Sequence, residues 1–290
     1  MQWQHKNKLF QTCFKVILMK KLLLLFASVI ALAACQSKTE TKNTATSSAE
    51  IKVDSVTYSL KTPPKITKDG DTVLTSFSVK YPKLVGGDEA VISKINAQIE
   101  QMVKDQTFSM DDTVQTTKTG SIESLAKGFI KEFEDLAAEN DDMPLMGWDY
   151  EGSGDTLLIS PKVISIYYQV YSFTGGAHGN SNITYLNFNA QTGDLLKLTD
   201  MVSDTTALKK IAELKFEKTQ KAFAKDNDFE YSKEDYFWGS PFFLPANIAI
   251  TKNGLQFLYN PYEAAAYALG TISFELTWQE LGDIAKKEIR

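Results

Sequence analysis

Polar and apolar residues alternate with a period of two over residues 53–60 and again over 72–81, which predicts two strands. Turn residues at Pro63, Pro64, Asp69 and Gly70 separate them. The period then lengthens. Val91, Ile92, Ile95, Ile99, Met102 and Val103 recur every three or four residues behind Asp88, whose carboxylate is placed to cap a helix. A polar stretch at 104–119 precedes a second stripe of Ile122, Leu125, Ala126, Phe129, Phe133, Leu136 and Ala137, the mark of another amphipathic helix. From Trp148 onward alternation returns, with strands expected at 157–160, 162–174 and 182–188 and with Ile164, Ile166, Tyr168 and Val170 sharing one face. A glycine-rich turn at 175–180 and a turn at 191–194 link them as a β-meander. A helix over 205–224 is expected to turn Leu208, Ile211, Ala212 and Leu214 inward. Three short strands follow at 248–250, 255–259 and 272–276, the first two joined by a type I′ turn at Asn253-Gly254, and a short helix begins near Gln279. No strand–helix–strand rhythm repeats, so the expected class is α+β: two α/β lobes built on antiparallel sheets with helices packed on one face, over residues 51–180 and 181–290.

The front of the chain has a different character. From Met19 the sequence reads MKKLLLLFASVIALAAC, two lysines followed by an apolar run too short for a relaxed membrane span, the form of a secretory signal over residues 1–34. Met19 makes a better start for it than Met1. Residues 36–50, QSKTETKNTATSSAE, hold no aromatic residue and cannot bury enough surface to offset their ordering entropy, so they read as a flexible tether. Residues 1–34 carry five Lys and no acid, which leaves 26 basic against 36 acidic groups on residues 35–290, a net charge of about −10. That balance disfavours nucleic acid, whose binders need a basic face.

Two resemblances follow. Leu32-Ala33-Ala34-Cys35 resembles a bacterial lipobox, which implies lipidation of Cys35, a membrane contact through that anchor, and an outer-membrane placement in a Gram-negative envelope because no retention acid follows the cysteine. The runs YSFTGGAHGN, LNFNAQTGDLLKLTDMV and FFLPANIAITKNGLQFLYNPYEAAAYALGTISFEL resemble the PdaC/RsiV-like family over about residues 51–290, with an N-terminal PdaC-like and a C-terminal RsiV-like domain. That family includes the extracellular part of a lysozyme-sensing anti-sigma factor and a domain attached to peptidoglycan deacetylases. The resemblance therefore implies a cell-wall setting and a lysozyme-like protein or a wall glycan as partner. With only 18 residues ahead of the signal, the chain is expected to bind without transmitting a signal as an anti-sigma factor does.

The residues permit little catalysis. Beyond the signal the only histidine is His178, which cannot supply the H-x-x-x-H pair of a metal-dependent deacetylase, and no metal or cofactor is expected. Gly152-Ser153-Gly154 reads as a turn and not as a nucleophile elbow. Asp111-Asp112 and Asp141-Asp142 sit in polar stretches as solvated surface, and Asp226-Asn227-Asp228 lacks the glycine of a calcium loop, where Tyr231 stands. Two segments carry recognition chemistry instead. Gly175, Gly176, His178, Gly179 and Asn180 form either a recognition loop or a tight connection whose imidazole satisfies buried carbonyls. Tyr236, Phe237, Trp238, Phe242 and Phe243 form either an aromatic contact surface or a lid over the second core. The expected function is a non-catalytic, lipid-anchored binding module. The rival is a carbohydrate-active or peptidoglycan-modifying enzyme working with a carboxylate pair.

Overall fold

The computed structural model describes residues 50–66, 70–107, 118–139 and 146–290. Cys35, the signal and tether, and the pairs Asp111-Asp112 and Asp141-Asp142 lie outside the described residues. The protein is α+β. Its larger sheet joins β1 (Lys52–Lys61), β4 (Ser76–Val85), β5 (Asp149–Ile159), β6 (Val163–Phe173) and β7 (Asn180–Asn189) in the order β1-β4-β5-β6-β7. The stretch 72–81 is broken at Leu74-Thr75: β3 (Thr72–Val73) pairs with β2 (Lys65–Ile66) as a separate ribbon. All ladders of the large sheet are antiparallel except β4 with β5, because the chain crosses between those two strands through α1 (Glu89–Asp105) and α2 (Ile122–Glu139).

Local chemistry places these elements as the periodicity requires. The Asp88 carboxylate accepts from the main-chain N–H groups of Ala90 and Val91, closing the start of α1. Ile92, Ile95, Ile99, Met102 and Val103 of α1 and Ala126, Phe129 and Phe133 of α2 are buried against one face of the sheet. Phe77, Val79 and Tyr81 of β4, Tyr150 of β5, and Ile164, Ile166 and Tyr168 of β6 meet them there, with Phe77 stacked on Tyr150 at 4.7 Å. Each such aromatic contributes on the order of 2–3 kcal/mol by leaving water. Gly152 and Gly154 are not a turn. They lie inside β5, where a Cβ at 152 would fall 1.8 Å from the Tyr168 hydroxyl, so glycine is what lets that ring lie across the strand.

The expected division at 180/181 falls where β7 begins. That strand pairs with β6 along its length, so the first sheet continues to Asn189. A second core follows, built from β8 (Asn247–Ile250), β9 (Gly254–Tyr259) and β10 (Ile272–Thr277) in the order β10-β9-β8. After the short α3 (Leu198–Met201), α4 (Thr205–Asp226) packs on this sheet through Leu208, Ala212 and Phe216. Leu214 is 70% exposed, contrary to expectation, because it falls off that stripe. The β8–β9 connection is not type I′ either. Gly254 has no positive φ; the Thr251 hydroxyl accepts from the N–H groups of Asn253 and Gly254, and a Cβ at 254 would lie 2.0 Å from the Leu276 carbonyl. Asp226 ends α4 and Asn227 caps it, in place of a metal-binding loop. The short α5 (Trp278–Leu281) is closed by a capping box of Thr277 and Glu280.

The two sheets meet without a shared ladder. The Asn187 side chain on β7 donates to the Ile248 carbonyl at 2.7 Å and accepts from the Ile250 N–H at 2.7 Å, as a peptide group of a neighbouring strand would. Reciprocally, Asn260 accepts from the Ile183 N–H and donates to its carbonyl, and Asn247 accepts from the Tyr185 N–H. Three side-chain amides thus satisfy main-chain groups at the edges of β7 and β8.

Candidate functional surface

The loop before β7 folds against the second half of the chain. Gly175 and Gly176 adopt φ of +96° and +87°, which turns the chain sharply out of β6. Gly179 serves a different purpose. A Cβ there would lie 2.4 Å from the Tyr171 ring, so its hydrogen lets that ring lie flat on the backbone. His178 is exposed, and its ring stacks on Tyr267 with centroids 3.9 Å apart and planes 17° from parallel. Its Nδ1 lies 2.9 Å from the Gly179 carbonyl, which can only accept, so Nδ1 carries the proton in that contact. The Tyr267 hydroxyl donates to the same carbonyl at 2.7 Å. Asn180 then opens β7, with its side chain toward solvent.

The aromatic stretch is divided by burial. Tyr236, Phe237 and Phe242 are core residues and not contact residues, packed around Phe216, with Phe237 also against Tyr259. Trp238 and Phe243 are the two on the surface, at 56% and 42% exposure. Phe243 is held by edge contacts to Phe237 and Tyr259, and the Tyr259 hydroxyl donates to the Phe243 carbonyl. Burial raises the Tyr259 and Tyr236 hydroxyls above the usual phenol range, so both remain neutral donors at ordinary pH.

Residues 260–270 connect both segments. Tyr267 holds His178 on one side, and the Ala264 carbonyl accepts from the Phe237 N–H at 2.7 Å on the other. Tyr262, 55% exposed, packs beside Tyr267 at 5.5 Å. His178, Tyr267 and Tyr262 therefore form three rings in succession, with Tyr171 flanking them across Gly179 and with Trp238 and Phe243 on the adjoining loop. Sequence pattern singled out neither Tyr262 nor Tyr267. Two tyrosines flanking three alanines after Asn260-Pro261 fit no strand or helix period, which was the available signal.

Strain gathers at the same place. Among the described residues four non-glycine residues have positive φ, and three are Phe237, Trp238 and Tyr262, at 57°, 54° and 69°. An aromatic side chain in the left-handed region costs about 1–2 kcal/mol. The three loops are also poor in charge: 174–181, 236–245 and 260–270 contain one carboxylate, Glu263, and no Lys or Arg, in a chain that is 23% charged. Glu263 is tied back, accepting from the Asn260 N–H at 2.9 Å. Among the described residues no group of three or more His, Cys, Asp or Glu side chains is placed to hold a metal ion. A separate shallow groove of about 610 Å³, lined by Lys162, Asp194, Leu195, Asp200, Lys286 and Glu288, is of mixed charge and includes none of these aromatics.

The family model described as Deacetylase PdaC matches residues 67–181, and the one described as a protein of unknown function, DUF3298, matches residues 196–279. The chain pairs a PdaC domain with a DUF3298 domain. Tyr171 and His178 fall in the first match, and Trp238, Phe243, Tyr262 and Tyr267 in the second, so the aromatic surface is assembled from both. A DUF3298-family structure from Bacteroides fragilis shares the fold with a TM-score of 0.64 at 16% identity, over 83% of this chain and 96% of that one. One from Pseudomonas aeruginosa gives a TM-score of 0.58 at 18% identity over the same shares. These likenesses concern the fold. No curated protein matches the chain.

Proposed function

We propose that the chain is a non-catalytic binding module of the bacterial envelope, anchored through a lipid on Cys35, with its aromatic loops at the junction of its two domains. Its partner is a cell-wall component, either a lysozyme-like hydrolase or the wall glycan. The observation that carries the reading is the His178–Tyr267 stack at 3.9 Å, which holds the glycine loop of one domain to the exposed tyrosine loop of the other. Exposed Tyr and Trp side chains on braced loops combine large contact area with little conformational freedom left to lose on binding. The net charge of about −10 on residues 35–290 adds attraction for a basic protein.

The name of the PdaC model describes a deacetylase, and His178 is the single imidazole beyond the signal. Its Nδ1 faces the Gly179 carbonyl and its ring covers Tyr267, the arrangement of a brace for two loops. Calorimetry of the full chain in detergent with a basic lysozyme, at low and physiological salt, tests the protein partner. Binding at both salts, with a weaker affinity at the higher one, is expected; heat at neither salt, together with no retention on intact peptidoglycan sacculi, removes the binding reading. For the anchor, Cys35→Ser should release the chain from membranes, and equal fatty-acid labelling of both forms would refute lipidation.

A further inference from the structure

We infer that the outer face of α4 is a lipid-docking surface that lies along a bilayer whose headgroups carry negative charge; this rests on the membrane anchoring proposed above and adds a second contact, made by the folded domain itself. α4 turns Leu208, Ala212 and Phe216 onto the second core. At about 3.6 residues per turn the opposite side holds Lys210, Leu214, Lys218, Lys221 and Lys225, and all five are exposed. They form a stripe about 22 Å long. Among the described residues Lys210, Lys218 and Lys225 have no ion pair. Two carboxylates border the stripe, Glu213 and Glu217, and Lys233 from the following loop reaches both, at 3.1 Å and 3.0 Å. Lys221 also pairs with Glu217, at 3.4 Å. These carboxylate side chains lie deeper, 35% and 25% exposed, than those of Lys233 and Lys221, at 62% and 58%. The ammonium groups are therefore the outer layer. Five lysines stand against two glutamates, so the face is basic on a chain whose residues 35–290 carry about −10.

The chemistry of the stripe selects a lipid surface over other anions. A helix face is convex; it offers a discrete ligand no cleft, but it lies well against a plane of charge. Every cation on the stripe is Lys. Arg, whose planar fork picks out an individual phosphate or carboxylate, is absent from α4. Lysines on flexible stems are attracted by diffuse surface charge and keep their ammonium groups among the headgroups while their methylenes cover apolar surface. Leu214, 70% exposed, sits in the midst of the lysines and is the side chain placed to enter the headgroup layer. The tether supplies proximity, since residues 36–50 as a coil span roughly 20 Å and hold the domain near the lipid. A contact too weak to recruit a free protein can then still orient a tethered one.

The full chain is reconstituted into vesicles of phosphatidylcholine alone or mixed with phosphatidylglycerol, and its lysines are acetylated by a water-soluble reagent and mapped by mass spectrometry. Lys210, Lys218, Lys221 and Lys225 should react about fivefold more slowly on the anionic vesicles, while Lys127 and Lys131 on α2 react alike on both; physiological salt should reduce the difference. Lys210, Lys218 and Lys225 are exposed and unpaired, so changing all three to Gln should leave Tm unchanged. In that variant Lys221 remains as reporter and should lose its protection. Equal reactivity on the two vesicles, protection shared by the α2 lysines, or protection of Lys221 that survives the triple change each overturns the inference. Protection by soluble polyglutamate but not by anionic vesicles also overturns it and assigns the face to an acidic polymer. If both vesicles retain the chain and the lysines react alike, the docking face falls and the anchor stands. If only anionic vesicles retain it, with α4 protected, the anchor on Cys35 falls and the face stands.

Discussion

At the residue scale, the interactions that decide behaviour are short-range and several could not be anticipated from residue type. Glu280 is an example. Its carboxylate accepts from Lys215 at 2.7 Å and from the Thr277 N–H, and these contacts lower its pKa to about 2. An unfolded Glu titrates near about 4.3, so the folded value is depressed and the stabilisation is present above the unfolded value and lost as pH falls through the folded one. Glu280 is 40% exposed, so solvent screening reduces the effect to about 1 kcal/mol. Glu280→Gln should therefore cost about that much in urea unfolding at pH 7 and almost nothing at pH 2, and an equal loss at both pH values would contradict the assignment. His178 shows the same dependence on context. Its residue type admitted recognition or structural bracing, and the stacked Tyr267 supplies a partner 89 residues further along the chain that no local pattern reveals.

At the element scale, the asparagine seam joins the two sheets. Asn187 is 3% exposed and serves the Ile248 carbonyl, the Ile250 N–H and the Ser165 hydroxyl at once. Asn187→Ala leaves those buried groups without partners and should cost about 2–4 kcal/mol. Native-state hydrogen exchange should show the Ile250 amide losing most of its protection while amides within β4 and β5 keep theirs; unchanged exchange at Ile250 would contradict the seam. Helices α1 and α2 and strands β6 and β7 were legible because one-sided burial imposes a strict period on the sequence, whereas β5, expected only over 157–160, runs from Asp149 to Ile159. The parallel β4–β5 pairing was not, since pairing partners depend on the path of the chain and not on composition. Nor was the role of Gly152 and Gly154, where a turn and a strand packed under a large ring demand the same residue. Within residues 236–243 the sequence offered five aromatics of equal standing; three consecutive positive-φ residues, ending at Gly239, direct Phe237 inward and Trp238 outward.

At the scale of the whole molecule, two hydrophobic cores are joined by side-chain amides and by one aromatic brace, and the brace lies on the surface assigned to binding. No helix among the described residues is long and apolar enough to cross a membrane. The proposed attachment is through Cys35, which lies outside them. The charged residues of 35–290 lie outside the three aromatic loops in the sequence, Glu263 excepted. Long-range attraction and short-range contact thus belong to different parts of the protein, and salt should alter the encounter more than the contact itself. The most direct test is co-sedimentation of the full chain with intact peptidoglycan sacculi, comparing wild type with a Trp238→Ala, Tyr262→Ala double variant of unchanged Tm. The account predicts saturable retention of the wild type and a loss of about tenfold or more in the variant, at both low and physiological salt. Equal retention of the two forms would contradict it, as would retention of neither together with no binding of a basic lysozyme.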